Sequence, residues 1–418
     1  MHMVRTIVGM QYMAEFSCLG GRCETDCCTE GFNIPYSRSD YEELERVSAG
    51  SDVMRSRVLS AFDMDVPAGF FAFLKMNENG LCPFLSSDKL CEIHASFGDG
   101  AIGSVCRTYP RVINIMGDRA EVSGTLSCPE VARRLFLGPE PMKFITFKRD
   151  ALPPGTLHYE KAMAPEDVAI TDAMREFAVR ILSLERYALS SRLYCLATFA
   201  EKIGCLNPDG QFDSAVSSMR EVFDRFIDQS NIEKCDRIIQ NIKIDTNWPF
   251  YFMSKLINDK SLGINSKACK KWLEIYTYNN DHSKDQLELF ANWRKMVTPD
   301  FRTYLDHLIT IYLYHYVISK PPEGIPDIFH YVQTLITFGM LVKFILITKT
   351  AGMPASGQGA EAYINSKEAL SEMFVMEISR FSRYFEHELH YQERINQYFA
   401  ELNSKSLAHL VMIIKSLA

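Results

Sequence analysis

The sequence has no basic excess. Its 45 Lys and Arg face 52 Asp and Glu, for a formal net charge of -7. Neutralising phosphates needs a basic surface, so the balance argues against a general nucleic-acid binder. The start, MHMVRTIVGMQYMAEF, lacks the basic n-region, apolar h-region and small-residue cleavage site of a secretory signal, and a cytoplasmic location is expected. A long uninterrupted hydrophobic run is also missing. The most apolar stretch, Tyr331 to Ile347, contains Gln333 and Lys343 and falls short of the roughly 20 residues that a membrane span wants. It is expected to be a buried core helix, with no membrane span. No G-x-S-x-G elbow, no GxxxxGK phosphate loop, no fixed-period repeat and no heptad run occurs.

Cysteine is scarce after residue 128, where only Cys195, Cys205, Cys235 and Cys269 are found, and these read as ordinary buried thiols on helical segments. It is dense before that point. Cys18, Cys23, Cys27, Cys28, Cys82, Cys91, Cys106 and Cys128 all fall in the first third of the chain. In a reducing compartment such a block points to a metal or redox site rather than a disulfide framework. Thiolates are soft ligands that select zinc, copper(I) or iron–sulfur clusters. The spacing is not that of a zinc finger, whose cysteines come in close pairs, because Cys82, Cys91, Cys106 and Cys128 are scattered singly. Cys18 and Cys128 have a duller reading too, as a packed thiol or a helix cap.

Hydrophobic residues make up 47% and charged residues 23% of the 418 residues, ordinary values for a chain of about two or three domains. The first part is loop-rich, with short elements. Ser39 and Glu42 form a capping-box pattern that starts a helix near Asp40, and a second helix follows Ser51. The β-prone runs Arg111–Met116 and Ala120–Leu126, split by Gly117-Asp118, predict a hairpin. In CPEVARRLFLG, Cys128 stands at an N-cap, Pro129 at the first helical position and Gly138 at the stop. Four prolines between Gly138 and Gly155 mark a connection. Beyond it helical periodicity dominates, with Thr298-Pro299 a clear helix start and AGMPASGQGAE a loop. The expected architecture is mainly α: a cysteine-rich, loop-rich metal or cluster domain with a small β-hairpin over residues 1–140, a proline-rich connection at 141–160, and an all-α domain over 161–418.

Several further motifs have plain readings. GDGAIG, residues 98–103, matches the dinucleotide fingerprint but follows no strand, and reads as a loop. His94 reads as structural or as a neighbour of the metal ligands. Glu386 to His390, EHELH, spaces its histidines three apart instead of the four a metalloprotease helix requires, and reads as a solvated helix face. His307 and His315 read as core or surface residues. Arg107 and Arg111, in CRTYPR, are candidates for holding a carboxylate or offsetting the charge of a thiolate-bound centre.

Taken in order, the fragments FSCLGGRCETDCCTEGF, CPFL, LCEIH, CRTYPR and LSCPEVAR resemble the flagellin lysine-N-methylase family, with SRYFEHELH a weaker match further along. Phe32 departs from that pattern, where a tryptophan follows the glycine. The resemblance implies methyl transfer from S-adenosylmethionine to lysines of flagellin, and a cysteine-bound [4Fe-4S] cluster, with zinc the alternative. Arg107 and Arg111 are the cofactor-binding candidates by their own chemistry, with a surface pair in the turn before Pro110 as the plainer reading. Lysine must react as the neutral amine, so the site must desolvate it or supply a base; Tyr109, Glu121 and Glu130 are the candidates for the base, each of which also reads as a structural residue. The rival readings are a non-catalytic, metal-stabilised module that binds a partner protein, and a redox protein.

Overall fold

The computed structural model describes residues 4–29, 34–148, 152, 163–206, 212–243, 252–253, 255–257, 293, 295, 297–321, 328–351, 366–387, 391–401 and 407–416. Phe32, Cys269, His390 and most of the AGMPASGQGAE loop lie outside them. The chain divides into two compact units. One comprises Met1–Lys161, Ile264–Lys271 and Ile378–His387; the other holds the remainder.

The first unit carries two small sheets. Strands β5 (Arg111–Met116) and β6 (Arg119–Gly124) form the predicted hairpin. Met116 pairs with Arg119, which leaves Gly117-Asp118 as a two-residue turn. Gly117 has φ 63, a value that a two-residue hairpin turn needs and that glycine adopts without strain. The sequence reading missed what surrounds this hairpin. β1 (Thr6–Met10) runs parallel to β6, and β7 (Phe144–Thr146) closes the sheet antiparallel to β1, giving the order β5-β6-β1-β7. The stretch read as a proline-rich connection therefore holds an edge strand. Ile113, Met116, Ala120, Val122, Ile7 and Met10 bury their side chains, while α6 (Pro129–Leu137) begins at Cys128 with Pro129 in its first turn, as expected.

The second sheet joins β2 (Pro35–Tyr36), β4 (Ala72–Leu74) and β3 (Phe62–Asp63). Around it lie α2 (Arg38–Ser48) and α3 (Asp52–Ser60). Ser51 caps α3 as predicted, accepting from Met54 N. The α2 cap is a correction: Ser37, not Ser39, accepts from Asp40 N at 3.1 Å, because it is Ser37 that stands in extended backbone immediately before the first helical turn. Tyr36, Leu44, Val58, Phe62, Phe84 and Ile93 make a miniature core, and Cys82, Cys28 and Cys91 pack against it. A domain with so small a core gains from extra cross-links such as metal ligation.

The second unit is helical among its described residues. Its principal helices are Pro165–Leu182, Leu189–Leu206, Phe212–Phe226, Gln229–Asn241, Pro299–Ser319, Ile328–Ala351, Tyr391–Glu401 and Leu407–Ser416, with Lys367–Phe381 running out of it into the first unit. Thr298 caps its helix by accepting from Phe301 N at 3.2 Å, with Pro299 in the first turn. At the other end of that helix, Arg175 donates to the carbonyls of Val317 (3.1 Å) and Ile318 (2.7 Å), satisfying acceptors that have no partner within the helix. The apolar helix Ile328–Ala351 is buried in this unit. Among the described residues it is the one helix long and apolar enough to cross a membrane. Its Lys343 meets Asp306 at 2.6 Å. Cys195 and Cys235 are buried thiols on two of these helices, and His307 meets Glu185 at 2.9 Å while His315 is buried.

Candidate functional site

Three local devices gather cysteines in the first unit. Asn77 Oδ1 accepts from Asn79 N (2.9 Å) and Leu81 N (3.0 Å). This Asx turn presents Leu81 to Thr29 as a β-bridge and lets Cys82 N donate to Cys28 O at 2.8 Å. The loop from Cys82 to Cys91 then doubles back: Leu85 bridges Cys91, Ser86 N donates to Leu90 O, and Leu90 N donates to Ser86 Oγ. Finally Asp40, at the start of α2, accepts from Ser104 Oγ at 2.8 Å and lies 3.8 Å from Arg107 Nη2. It ties down the short helix α5 (Ser104–Thr108) that carries Cys106.

The thiols brought together by these devices share protons and charge. Cys28 interacts with both Cys27 and Cys82 through its one thiol proton. Cys27 is lowered to about 7, first by that hydrogen bond and further by the nearby Arg383 charge. Cys82 is lowered for the same first reason, with Arg57 adding to it. Cys28, which holds the proton between these neighbours, is pushed up. Cys91 is raised, first by burial and then by the charges of Cys82 and Cys27. Cys106 is raised to about 12, first by desolvation and then by Cys82, Cys27 and Cys91. Yet the Cys106 residue surface is exposed.

Cys18, Cys23 and Cys128 form an outer set. Cys23 donates to Thr25 O at 3.1 Å and is raised, first by burial, with contributions from Cys27 and Cys18. Cys18 accepts from Gly20 N at 3.3 Å. Cys128 is the N-cap of α6 without a side-chain cap hydrogen bond, and it is raised to about 12, first by burial, with the nearby Val131 and Glu130 N–H dipoles opposing the rise. Among the described residues no group of three or more His, Cys, Asp or Glu side chains is arranged to hold a metal ion, and the inner cysteines are free thiols.

The other predicted site residues disperse. Arg111 stacks over Phe16 at 5.7 Å, beside Cys18. Glu121 lies on β6, buried and paired with Arg119 at 2.8 Å. Glu130 meets Arg134 (2.8 Å) and Arg133 (3.2 Å), and Arg133 reaches Glu24 at 2.7 Å. Of the three base candidates, Tyr109 is the one whose phenol feels Cys128 and Cys27. Burial raises its pKa, and its hydroxyl lies 3.2 Å from Ser127 Oγ. His94 meets Asp99 at 2.6 Å on the surface. GDGAIG becomes a 3-10 turn and the start of α5, with no strand before it.

Two residues of the segment Ile378–His387 enter the site from far along the chain. Arg383, buried, donates to Thr29 Oγ1 at 2.7 Å, next to the adjacent cysteines. His387 corrects the solvated-face reading: its Nε2 lies 2.9 Å from Ser127 Oγ and 3.0 Å from Thr125 Oγ1. Helical periodicity carries no signal for either contact, because the backbone leaves the α-helix at Phe381 and passes through a π-helical turn, Ser382–Glu386, which re-aims the side chains. π-turns of this kind recur at functional sites.

A family model described as the FliB lysine N-methylase C-terminal domain matches residues 175–413, more than half of the chain. That span includes Arg383 and His387 and none of the eight clustered cysteines. The lysine-N-methylases of Salmonella typhimurium (strain LT2) and Salmonella choleraesuis (strain SC-B67) are each 22% identical over 256 residues, covering 58% of this chain and 58% of the relative. The flagellar biosynthetic protein FliU of Salmonella muenchen is 23% identical over 146 residues, 33% of this chain and 80% of that protein. The matches thus span less than two thirds of the lysine-N-methylases' own length. No solved structure matches. By its C-terminal domain the chain belongs to the FliB lysine N-methylase family.

Proposed function

We propose that the protein is a protein-lysine N-methyltransferase that acts on flagellin in the cytoplasm, before export, with S-adenosylmethionine as methyl donor. The observation that carries this reading is the family match over residues 175–413, and the flagellar name of the FliU relative agrees with it. The substrate amine must be stripped of its proton and aligned with the donor methyl, which is a task of desolvation and positioning.

Cys27, Cys28, Cys82, Cys91 and Cys106 are the residues that would hold a [4Fe-4S] cluster, with zinc the alternative occupant. Their chemistry fits: they are soft, desolvated donors whose negative charges oppose one another's ionisation, a repulsion that a cationic centre relieves. A cluster bound there supplies iron as a one-electron redox and Lewis-acidic centre. Arg383 and Arg57 would balance the anionic charge that remains.

The test is anaerobic incubation of the protein with flagellin and a donor carrying an isotopically labelled methyl. Label on lysine nitrogens, found by peptide mass spectrometry, is the expected result. Stable flagellin binding with no transfer would instead mark an escort module. Iron, sulfide and zinc analysis of the same sample decides the occupant of the thiol site.

A further inference from the structure

The described groups of the first unit contain one hydrogen-bonded chain that the cysteine chemistry leaves unexplained. It runs from the half-buried Tyr109 to the surface. Tyr109 Oη lies 3.2 Å from Ser127 Oγ, and Ser127 Oγ lies 2.9 Å from His387 Nε2. Thr125 Oγ1 braces the junction, 3.0 Å from both Ser127 Oγ and His387 Nε2. Ser127 is fully buried, while His387 is exposed. A hydroxyl that accepts at one end and donates at the other, between a phenol and an imidazole, is the minimal part of a proton wire.

We propose that Tyr109, Ser127 and His387 form the relay that carries the proton of the acceptor lysine out to solvent. The proposal rests on the methyltransferase reading above. It deepens that reading by naming the base and the exit path.

The step balances. The lysine N–H bond breaks as the amine proton passes to Tyr109 oxygen. The Tyr109 O–H proton moves to Ser127, and the Ser127 proton moves to His387 Nε2, which in the tautomer protonated at Nδ1 holds an open lone pair. The neutral imidazole becomes imidazolium and gives its proton to water. The lysine lone pair then forms the N–C bond as the sulfonium S–C bond breaks, leaving a neutral thioether. Free lysine and histidine differ in pKa by about 4 units, so transfer toward the imidazole requires an amine already desolvated by its pocket. Geometry supports the direction: a desolvated phenol is a poor final home for a proton deficit, and His387 is the relay member that meets water.

The test compares two acceptors. One is flagellin; the other is the same flagellin with an aminooxy group in place of the reactive lysine ammonium, which is neutral in neutral buffer and needs no base. Positioned proton transfer contributes typically about 100- to 10,000-fold. His387→Ala is expected to lose at least the lower end of that range in kcat on lysine, with KM little changed. On the aminooxy acceptor it should lose little. Added imidazole should restore part of the lysine rate. Ser127→Ala should repeat the acceptor dependence without the imidazole rescue, since it breaks the wire upstream. Equal losses on both acceptors would assign these residues a structural role and overturn the relay. Full activity of His387→Ala would overturn it as well. A wild-type protein that methylates neither acceptor overturns the methyltransferase reading itself, an outcome separable from the other two.

Discussion

Arg383 Nη1 donates to Thr29 Oγ1 at 2.7 Å, which sets a buried guanidinium beside the Cys27-Cys28 pair. The two partners lie at opposite ends of the sequence. Their contact brings the fixed positive charge to the thiol whose acidity depends on it.

Removing that charge has a chemical consequence. In the metal-free protein Cys27 is lowered to about 7, with Arg383 a contributor after the Cys28 hydrogen bond. Arg383→Met should raise it and reduce the thiolate fraction in neutral buffer. Alkylation of Cys27 by iodoacetamide, followed by mass spectrometry, should slow several-fold. The sign is set by linkage: a depressed thiol pKa favours the thiolate above it, so the difference between variant and parent fades as the buffer is made alkaline enough to ionise both. An unchanged rate in neutral buffer would contradict the assignment.

The metal reading predicts two classes of thiol. Cys82→Ser and Cys106→Ser should each cut bound iron or zinc sharply, as read by metal analysis of purified protein. Cys195→Ser should leave metal content intact. Its thiol is buried beside Cys235 in the helical unit, so the added hydroxyl should cost about 1–3 kcal/mol of stability instead. Metal loss in Cys195→Ser, or retention in both of the others, would break the division.

Gly103 closes the GDGAIG motif for a packing reason. A Cβ there would stand 2.6 Å from the Tyr36 ring, whose hydroxyl accepts from Gly103 N at 3.2 Å. Tyr36 is buried against Phe62, ring centroids 4.7 Å apart, and has little room to retreat. Gly103→Ala should destabilise the first unit by about 1–3 kcal/mol through overpacking, seen as a lower midpoint in thermal unfolding. A variant as stable as the parent would show that Tyr36 moves freely.

Lys343 and Asp306 form a partly buried ion pair in the helical unit, 2.6 Å apart, with the lysine side chain 7% and the aspartate 28% exposed. Deleting the acid strands a buried ammonium. Asp306→Ala should therefore cost about 2–3 kcal/mol, a discount on the penalty for a fully buried pair. Lys343→Met, which leaves the half-solvated acid, should cost less. Denaturant midpoints of the two variants decide the order, and the reverse order would be inconsistent with this account.

Local patterns in the chain were enough to locate much of this architecture. The Gly117-Asp118 hairpin, the Cys128-Pro129 helix start and the Thr298-Pro299 cap rest on a few adjacent residues, so each could be read from the chain alone. Ser37 took the cap expected of Ser39 because capping depends on which residue first leaves extended backbone, a matter of two residues. β1 and β7 escaped because their partners are distant. Thr6–Met10 pairs in parallel with a hairpin strand far along the chain, and no local signal encodes a parallel neighbour.

The same division holds at the site. The eight early cysteines suggest a soft-metal site by residue type and density alone, since thiolate sulfur is the soft anionic ligand among protein side chains. Which of them meet was decided by folding. Hydrogen bonds through the Asn77 turn and the Leu85–Cys91 bridge, with the Asp40 side-chain tether, bring Cys28, Cys82, Cys91 and Cys106 toward Cys27, while Cys23 and Cys128 reach the group only through their charges. Arg383 and His387 could be found only in three dimensions. Their contacts come through a π-turn that turns them off the expected helical face onto Thr29 and Ser127. Residue chemistry is written in the order of the chain, whereas distance between remote side chains is set by how the backbone satisfies its own hydrogen bonds.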